Sequence, residues 1–404
     1  MNRSRRSVWS VVVLFLVLAG GVPAATWARA SGSAGHLNPI RFAPTRSYKT
    51  GASPQQVAFA DFDGNGTVDL LSANQGAHTV SLLRGRGDGT FRKAMEIRAG
   101  IAHPLAIATA DMNGDGHPDA VLVNGLRRNG VAILLGDGTG GFRRSIFPGG
   151  HRSQWVIAAD FNADGVPDVA TANAGGGVSV LLGTGTGRLR RAVDYATKST
   201  MCSALTTADL NEDGHLDLVT TNSVLGNGAS NHSISVLLGR GDGTFRAPAV
   251  YRHLGYQPTM PTTADVNGDG HVDVVAPMGG WPGHYVTVLF GRGNGSLHSP
   301  ELLLAGPSAH DTVAVDLNGD GTVDLASSCL GTSYVVPTNQ GVAIRAGRGD
   351  ATFRPIKVIT DAWPSRMWKW PTWIGAADLN GDGRMDLVAP DELNDTVGVL
   401  INRS

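Results

Sequence analysis

Seven copies of a nine-residue acidic motif place oxygen-bearing side chains at a fixed spacing along the chain. The second copy reads DMNGDGHPD from Asp111. Each copy has Asp or Asn at positions 1, 3 and 5, Gly at position 6 and Asp at position 9. This spacing resembles the first half of a calcium-binding loop, in which position 7 adds a backbone carbonyl and the glycine permits a sharp turn. The motif therefore predicts seven sites for a hard divalent cation.

Every predicted ligand side chain is an Asp or an Asn. They are Asp61, Asp63, Asn65 and Asp69; Asp111, Asn113, Asp115 and Asp119; Asp160, Asn162, Asp164 and Asp168; Asp209, Asn211, Asp213 and Asp217; Asp265, Asn267, Asp269 and Asp273; Asp316, Asn318, Asp320 and Asp324; and Asp378, Asn380, Asp382 and Asp386. Zinc and copper are disfavoured because no His, Cys or Met holds a ligand position. We expect up to seven structural Ca²⁺ ions, the alternative being metal-free Asx turns. His117, His215 and His271 stand at position 7, and we expect their rings to face water.

The elements that carry these loops recur with them, about fifty residues apart. In each repeat an apolar run leads into the motif, a second run follows it directly, and a third ends in a glycine-rich turn before a more polar fourth. Four short strands per unit predict one blade, so the fold class is all-β, a seven-bladed β-propeller. The last repeat lacks a fourth strand. The segment 39–51 is predicted to supply it, closing the ring with strands from both chain ends.

The motif followed by a GxGDGTF turn is similar to the FG-GAP/VCBS repeat, the propeller unit of integrin α-subunits. The resemblance covers roughly residues 39–404 and implies the propeller fold. It implies much less about function, because this fold hosts adhesion receptors, lectins and polysaccharide lyases. The Phe-Gly and Gly-Ala-Pro landmarks of integrins are degraded here, whereas all seven acidic loops are kept.

The first thirty residues have the features of an export signal. Three arginines precede an apolar run, and Ala28-Arg29-Ala30 forms a cleavage pattern. We predict a signal peptide at 1–30, a linker at 31–38 and the propeller at 39–404. The mature protein is then expected to be secreted, periplasmic or extracellular, without a membrane span and monomeric. The only two cysteines, Cys202 and Cys329, do not constitute a disulfide framework.

The charge of the chain bears on its partners. Residues 1–30 hold four arginines and no acidic residue, so the mature chain is more acidic than the formal charge of −1. Calcium in every loop would reverse that sign and favour an anionic partner such as an acidic polysaccharide. No nucleic-acid-binding motif is present, and an exported protein rarely meets nucleic acid.

Strand alternation assigns the acidic loops and the glycine-rich turns to one face of the ring. The long insertions, 222–233, 329–341 and 360–373, fall on the other face, where we predict binding of a glycan or an extracellular protein. Seven residues are predicted to contact that ligand: Trp281, His284, His310, Trp363, Arg366, Trp368 and Trp370. We expect Trp373 and Trp155 to pack between blades instead. The alternative function is a polysaccharide-degrading enzyme of lyase type, but no spacing defines a catalytic set and no catalytic residue is assigned.

Three glycine-rich turns contain Arg-Gly-Asp, a tripeptide known as an adhesion ligand. Other copies of the turn read GDGTGGF and GTGTGRL, so the alternating glycines recur while Arg and Asp do not. We therefore interpret the tripeptide as turn chemistry in which the Asp side chain caps its own turn.

Overall fold

The structure is a computed structural model. It describes residues 39–125, 130–150, 152–222, 232–252, 254, 257–279, 284–331, 340–359 and 372–404. None of the described segments forms a helix of the length and apolarity that a membrane crossing needs.

The described residues form 29 strands. Those of blades 1 to 4 are β2 (Pro54–Ala60), β3 (Asp69–Asn74), β4 (Thr79–Leu83) and β5 (Met95–Arg98); β6 (Pro104–Ala110), β7 (Asp119–Asn124), β8 (Val131–Gly136) and β9 (Phe142–Phe147); β10 (Ser153–Ala159), β11 (Asp168–Asn173), β12 (Val178–Leu181) and β13 (Val193–Tyr195); and β14 (Cys202–Ala208), β15 (Asp217–Asn222), β16 (Ser233–Leu237) and β17 (Ala249–Tyr251). Those of blades 5 to 7 are β18 (Gln257–Pro258), β19 (Thr262–Ala264), β20 (Asp273–Gly279), β21 (Tyr285–Leu289) and β22 (Glu301–Leu304); β23 (Ala309–Val315), β24 (Asp324–Cys329), β25 (Gly341–Arg345) and β26 (Lys357–Ile359); and β27 (Gly375–Ala377), β28 (Asp386–Asp391), β29 (Thr396–Leu400) and β1 (Arg46–Lys49).

These strands form seven antiparallel sheets, which confirms the predicted seven-bladed β-propeller. In blades 1 to 4 and blade 6 the sheet order follows the chain order. Blade 7 is closed by the N-terminal strand: β1 pairs with β29, so that Arg46 lies opposite Val399 and Lys49 opposite Thr396. The predicted closure by strands from both chain ends is therefore confirmed.

Blade 5 departs from the predicted four strands because its first strand is divided. β18 and β19 both pair with β20, and the break between them falls at residues 259–261. Pro261 lies in this break. Because proline has no backbone N–H, it cannot donate to the β-ladder there.

The apolar core is divided into seven clusters, each joining residues of two neighbouring blades. Leu71 of blade 1, for example, clusters with Ile107 and Leu122 of blade 2, and Val313 of blade 6 clusters with Leu387 of blade 7. Blade packing therefore depends on seven similar interfaces around the ring, as expected of a repeat fold.

The innermost strands surround a central cavity of about 260 Å³. Its walls are mainly apolar, with Phe59, Trp155, Met260 and Trp373 among the larger side chains. Asp311 also lines the cavity; its Oδ2 accepts a hydrogen bond from the backbone N–H of Ile374 in the next blade at 3.1 Å. Burial raises the pKa of Asp311 to about 7.

The two cysteines are both buried free thiols, Cys202 in blade 4 and Cys329 in blade 6. Burial raises the pKa of each to about 12. They are therefore core residues and poor nucleophiles.

Candidate metal loops and the face opposite them

The seven acidic loops have one length, and those of blades 2 to 7 share one hydrogen-bond pattern. Each joins the first strand of a blade to the second, from 61–68 in blade 1 to 378–385 in blade 7. In blade 2, Oδ2 of Asp111 accepts the Gly116 N–H at 2.7 Å, and Oδ1 accepts the Asp115 N–H at 3.1 Å. The side-chain amide of Asn113 donates to Oδ2 of Asp115 at 2.8 Å. The first three carboxyl and amide side chains thus hold their own turn, the arrangement expected of Asx turns.

The Asp at position 9 is buried and connects two parts of its blade. In blade 2, Oδ2 of Asp119 accepts the Met112 N–H at 2.8 Å, and Oδ1 accepts the Gly136 N–H at 2.7 Å. The acidic loop is thereby tied to the glycine-rich turn between strands three and four. The same pair of bonds is made by Asp69, Asp168, Asp217, Asp273, Asp324 and Asp386.

Burial raises the pKa of the position-9 carboxyls far above the ordinary 3.8. The pKa is about 7 for Asp386 and about 6 for Asp69, Asp119, Asp168, Asp217, Asp273 and Asp324. Desolvation is the largest cause and the other loop carboxylates add to it, while the two backbone hydrogen bonds act in the opposite direction. Ionising these groups without a cation is therefore unfavourable.

The first acidic loop differs from the other six. Its position 3 is Asp63 and its position 5 is Asn65, the reverse of the usual order. Ligand atoms of Asp61, Asp63 and Asp69 lie within 4.8 Å of one another, and Oδ1 of Asp63 is buried without a hydrogen-bond partner. Three converging carboxylates with an unpartnered buried oxygen form a donor set that fits a hard divalent cation such as Ca²⁺.

Arg84 is a neighbour of this site that the sequence reasoning missed. Its Nε lies 3.5 Å from Oδ2 of Asp63, and its Nη2 donates to the Thr139 carbonyl of blade 2 at 2.8 Å. The corresponding position in the other blades is apolar: Leu135, Leu182, Leu238, Phe290, Ala346 and Ile401. Comparing the repeats at this position would have revealed the arginine.

The position-7 histidines only partly follow the prediction that their rings face water. His117 is exposed, whereas His215 and His271 are half-buried. Nδ1 of His271 lies 2.6 Å from Oε1 of Glu212 in the acidic loop of blade 4, and this contact raises the pKa of His271. The pair connects two adjacent acidic loops.

The glycine-rich turns confirm that Arg-Gly-Asp serves turn chemistry. Oδ1 of Asp242 accepts the Thr244 N–H at 2.9 Å and the Thr244 hydroxyl at 2.6 Å. Gly241 has a φ of 72° and lies against the ring of His215, so it has no room for a Cβ atom. The glycine and the aspartate of the tripeptide therefore both have structural roles.

The opposite face, here called the insertion face, carries the connections between strands two and three and those between blades. These connections vary in length, from 75–78 in blade 1 to 330–340 in blade 6 and 360–374 before blade 7. The strand bounds place all three predicted insertions on this face. Of the predicted ligand-contacting residues, Trp281, Trp363, Arg366, Trp368 and Trp370 lie outside the described residues.

The two described members of that set, His284 and His310, are not brought together by any contact. His310 lies within β23 and not in a loop, and its Nδ1 is 2.8 Å from the Thr372 carbonyl oxygen. A carbonyl only accepts, so this nitrogen carries the proton; burial lowers the pKa of His310. The His284 carbonyl accepts the Ala305 N–H at 2.7 Å. Neither contact defines a catalytic pair.

The expectation that Trp373 packs between blades is confirmed, whereas Trp155 lines the central cavity and contacts three of the core clusters around the ring. Trp373 is 3% exposed and its ring centroid lies 5.9 Å from that of Phe59 in the adjacent blade. Trp155 lies within β10, partly buried against core residues of blades 2 to 4.

The fold and the repeated acidic loop define this protein as a seven-bladed β-propeller built from acidic-loop repeats. A family model described as FG-GAP-like repeat matches residues 61–122, 111–171, 160–220 and 224–276. These segments cover more than half of the 404 residues, and the chain belongs to the FG-GAP-like repeat family. No curated protein sequence matches the chain significantly.

Two solved structures illustrate the similarity of fold. A chain in the crystal structure of BBS1N in complex with ARL6DN is 11% identical, with a TM-score of 0.59, covering 91% of this chain and 97% of that chain. The BP39L lectin from Burkholderia pseudomallei is 15% identical, also with a TM-score of 0.59, covering 85% of this chain and 94% of that chain. At these identities the similarity concerns the fold alone.

Proposed function

We propose that this chain is an exported β-propeller, stabilised by calcium, that binds a glycan or an extracellular protein through its insertion face. The proposal rests on the difference in loop length between the two faces of the propeller. Acidic loops keep one length in all seven blades, whereas connections on the insertion face vary and include the three long insertions. Variable loops on a rigid scaffold are where binding usually evolves.

Calcium is the cation proposed for the acidic loops. In the first loop Asp61, Asp63 and Asp69 would hold it, and the equivalent Asp and Asn residues would hold it in the other blades. When bound, the ion would supply positive charge to carboxylates whose ionisation burial disfavours. Asp69 and its counterparts would then connect the ion to the glycine-rich turn through the backbone hydrogen bonds already described.

Two comparisons support a general binding role. One structural neighbour was solved in a complex of BBS1N with ARL6DN, and another is a lectin. For this chain the glycan alternative is favoured by Trp363, Trp368 and Trp370 in a single insertion, because aromatic faces stack on sugar rings. The proposed location, outside the cytoplasm, follows from the predicted signal peptide.

A screen of neutral and acidic glycans, read for both binding and cleavage, tests this proposal. We expect at least one glycan to bind without turnover, and Trp368→Ala and Trp370→Ala to abolish that binding. Leu302→Ala is the control, because it removes an exposed apolar side chain from the outer strand of blade 5, away from the insertions. Cleavage with release of unsaturated sugar ends would instead establish the lyase alternative. Absence of glycan binding by the folded protein would contradict the glycan assignment.

A further inference from the structure

The arginines of the three Arg-Gly-Asp turns have no structural role that the fold requires. In the turn of blade 4, Gly241 is required for close packing and Asp242 caps the turn. Arg240 is exposed, and within the described part of the chain its guanidinium forms no salt bridge. The same is true of Arg86 and Arg348. These three exposed guanidinium groups are therefore available for binding.

Two further blades place an arginine at the same point. The backbone N–H of this residue closes the turn in four blades: Arg86 to Thr90 O at 3.0 Å, Arg240 to Thr244 O at 3.0 Å, Arg292 to Ser296 O at 3.1 Å and Arg348 to Thr352 O at 3.1 Å. In blade 7, which has no such turn, the Arg403 N–H donates to the Arg41 carbonyl at 2.7 Å and joins the two chain ends. Asp137 and Thr184 make this bond equally well in blades 2 and 3, each at 3.1 Å. The turn therefore does not depend on the arginine side chain.

In five of the seven blades an arginine also stands at the start of the fourth strand or just before it. These residues are Arg92, Arg143, Arg190, Arg246 and Arg354. The N–H of Arg92 donates to the Arg84 carbonyl at 2.8 Å and that of Arg246 to the Leu238 carbonyl at 2.8 Å, so the side chains leave the backbone at equivalent points. We call the ten arginines of both positions the arginine belt. It follows the outer part of the ring, because the turns join the outer strands of each blade.

Many carboxylates on the same face accept hydrogen bonds from their own loop or turn. Position-1 and position-9 aspartates accept backbone N–H groups within their own blade, as Asp209 and Asp217 do in blade 4. Asp88, Asp242 and Asp350 accept hydrogen bonds from the threonine of their own turn. The acidic loops lie towards the inner strands, whereas Asp88, Asp242 and Asp350 lie in the belt turns, each two residues from a belt arginine. Nη2 of Arg292 lies 3.3 Å from Nδ1 of His298, and among the described residues no belt guanidinium forms a salt bridge.

We propose that the arginine belt is a second binding surface, separate from the insertion face, for a linear polysaccharide that carries sulfate or carboxylate groups. The planar guanidinium fork matches both anions in bidentate geometry. Arginines at equivalent positions in several blades suit a polymer whose anionic groups also repeat. Each contact is weak, but contacts linked along one polymer raise the overall affinity. This surface is separate from the insertion face, but the proposal rests on the calcium loading of the acidic loops proposed above, which neutralises the carboxylates on the same face.

A polysaccharide fits this surface better than a single-stranded nucleic acid does. Nucleic-acid channels of that kind combine positive charge with exposed aromatic rings on which bases stack. In the belt turns the aromatic residues point inwards: Phe91 and Phe245 are buried core residues. The belt therefore offers charge along the polymer and no described stacking platform.

Equilibrium binding of labelled dextran sulfate, with neutral dextran as the competitor control, tests the proposal on the calcium-loaded full chain. The belt variant carries Arg86→Gln, Arg240→Gln and Arg348→Gln. The matched variant carries Lys49→Gln, Arg98→Gln and Lys198→Gln, which remove the same charge from exposed positions at the insertion-face ends of blades. We expect the belt variant to lose about tenfold in affinity, and the matched variant to lose much less.

The salt dependence supplies a second readout. Removing three contacts should lower the slope of log affinity against log salt by about two, the value for a single-stranded polyanion. A second belt variant with Arg92→Gln, Arg190→Gln and Arg246→Gln should reproduce the loss if the first variant folds poorly. Failure of the wild-type protein to bind dextran sulfate, equal losses in belt and matched variants, or equally tight binding of oligothymidylate would each overturn the proposal.

Discussion

On the acidic-loop face every blade has a loop of constant length and a buried aspartate, which holds a glycine-rich turn in blades 1 to 6 and the Asn402 N–H in blade 7. On the insertion face, the connections vary in length, from 75–78 in blade 1 to 330–340 in blade 6. The contacts there also differ: His310 is hydrogen-bonded to the Thr372 carbonyl, whereas Trp373 packs on Phe59 of the adjacent blade. A change of loop length on the acidic-loop face would break hydrogen bonds that are buried in every blade. A change of loop length on the insertion face would not. The difference shows that the repeated hydrogen bonds of the blades lie on one face and the variation in loop length on the other, which is the face we propose for binding.

The largest effect that would sharpen this comparison is the pH dependence of the metal-free protein. The folded pKa of the position-9 carboxyls is raised from 3.8 to about 6, and that of Asp311 to about 7. A raised folded pKa means that the native state binds more protons, so stability is fully present below pH 3.8 and is lost as pH rises through these values. Urea unfolding in chelator should show lower stability at neutral pH than near pH 4.

Calcium should reverse that dependence, because its carboxylate ligands must be ionised. In saturating calcium we therefore expect stability to rise from acidic to neutral pH. Metal-free protein that gains stability over the same pH range would show that the buried position-9 carboxyls do not titrate as described.

Asp217→Ala tests a single position-9 aspartate. The substitution leaves the buried N–H groups of Leu210 and Gly239 without their acceptor, so we expect a loss of about 3 kcal/mol in the free energy of unfolding. Asp213→Ala in the same loop is the control: Asp213 is exposed, and its loss should cost less than about 1 kcal/mol without metal. Equal losses of unfolding free energy for Asp217→Ala and Asp213→Ala in chelator would contradict the structural role assigned to the position-9 aspartate.

Gly241→Ala measures how closely the acidic loop and the glycine-rich turn pack. Its φ of 72° imposes backbone strain, and a Cβ atom would also meet the ring of His215. Gly214→Ala has a similar φ of 83° but nothing within 4 Å of the added atom. We expect Gly214→Ala to cost about 1 kcal/mol from strain and Gly241→Ala to cost about 1 kcal/mol more. Thermal unfolding that ranks the two variants in the reverse order would contradict the packing described.

Arg84→Leu should produce the smallest change in stability, but it should increase the calcium affinity of the first acidic loop. Its guanidinium lies 3.5 Å from Asp63 and competes with any cation there. Replacing Arg84 with leucine, an apolar residue like those at this position in the other blades, should raise the calcium affinity of the first loop about tenfold. Arg384→Leu is the control, because the Arg384–Asp382 pair is more exposed and more screened. Calcium titration calorimetry distinguishes the two; identical affinities would show that Arg84 does not oppose the ion.

The blade number, the closure and the two faces could be predicted because the acidic motif recurs with its flanking apolar runs, and strand alternation then assigns the faces. The division of the first strand of blade 5 could have been inferred from Pro261. Contacts between blades could not be derived from repeat spacing. Asp63 with Arg84, and Glu212 with His271, join residues that only the packing of the ring brings together.

The central claim, that the acidic-loop face is held together by calcium, is tested most directly by the melting temperature with calcium and with excess chelator at neutral pH. Chelation should lower the melting temperature by several degrees or more, and added calcium should restore it, because the seven buried position-9 carboxylates would then lose and regain a cation. An unchanged melting temperature would contradict the claim and leave the loops as metal-free Asx turns.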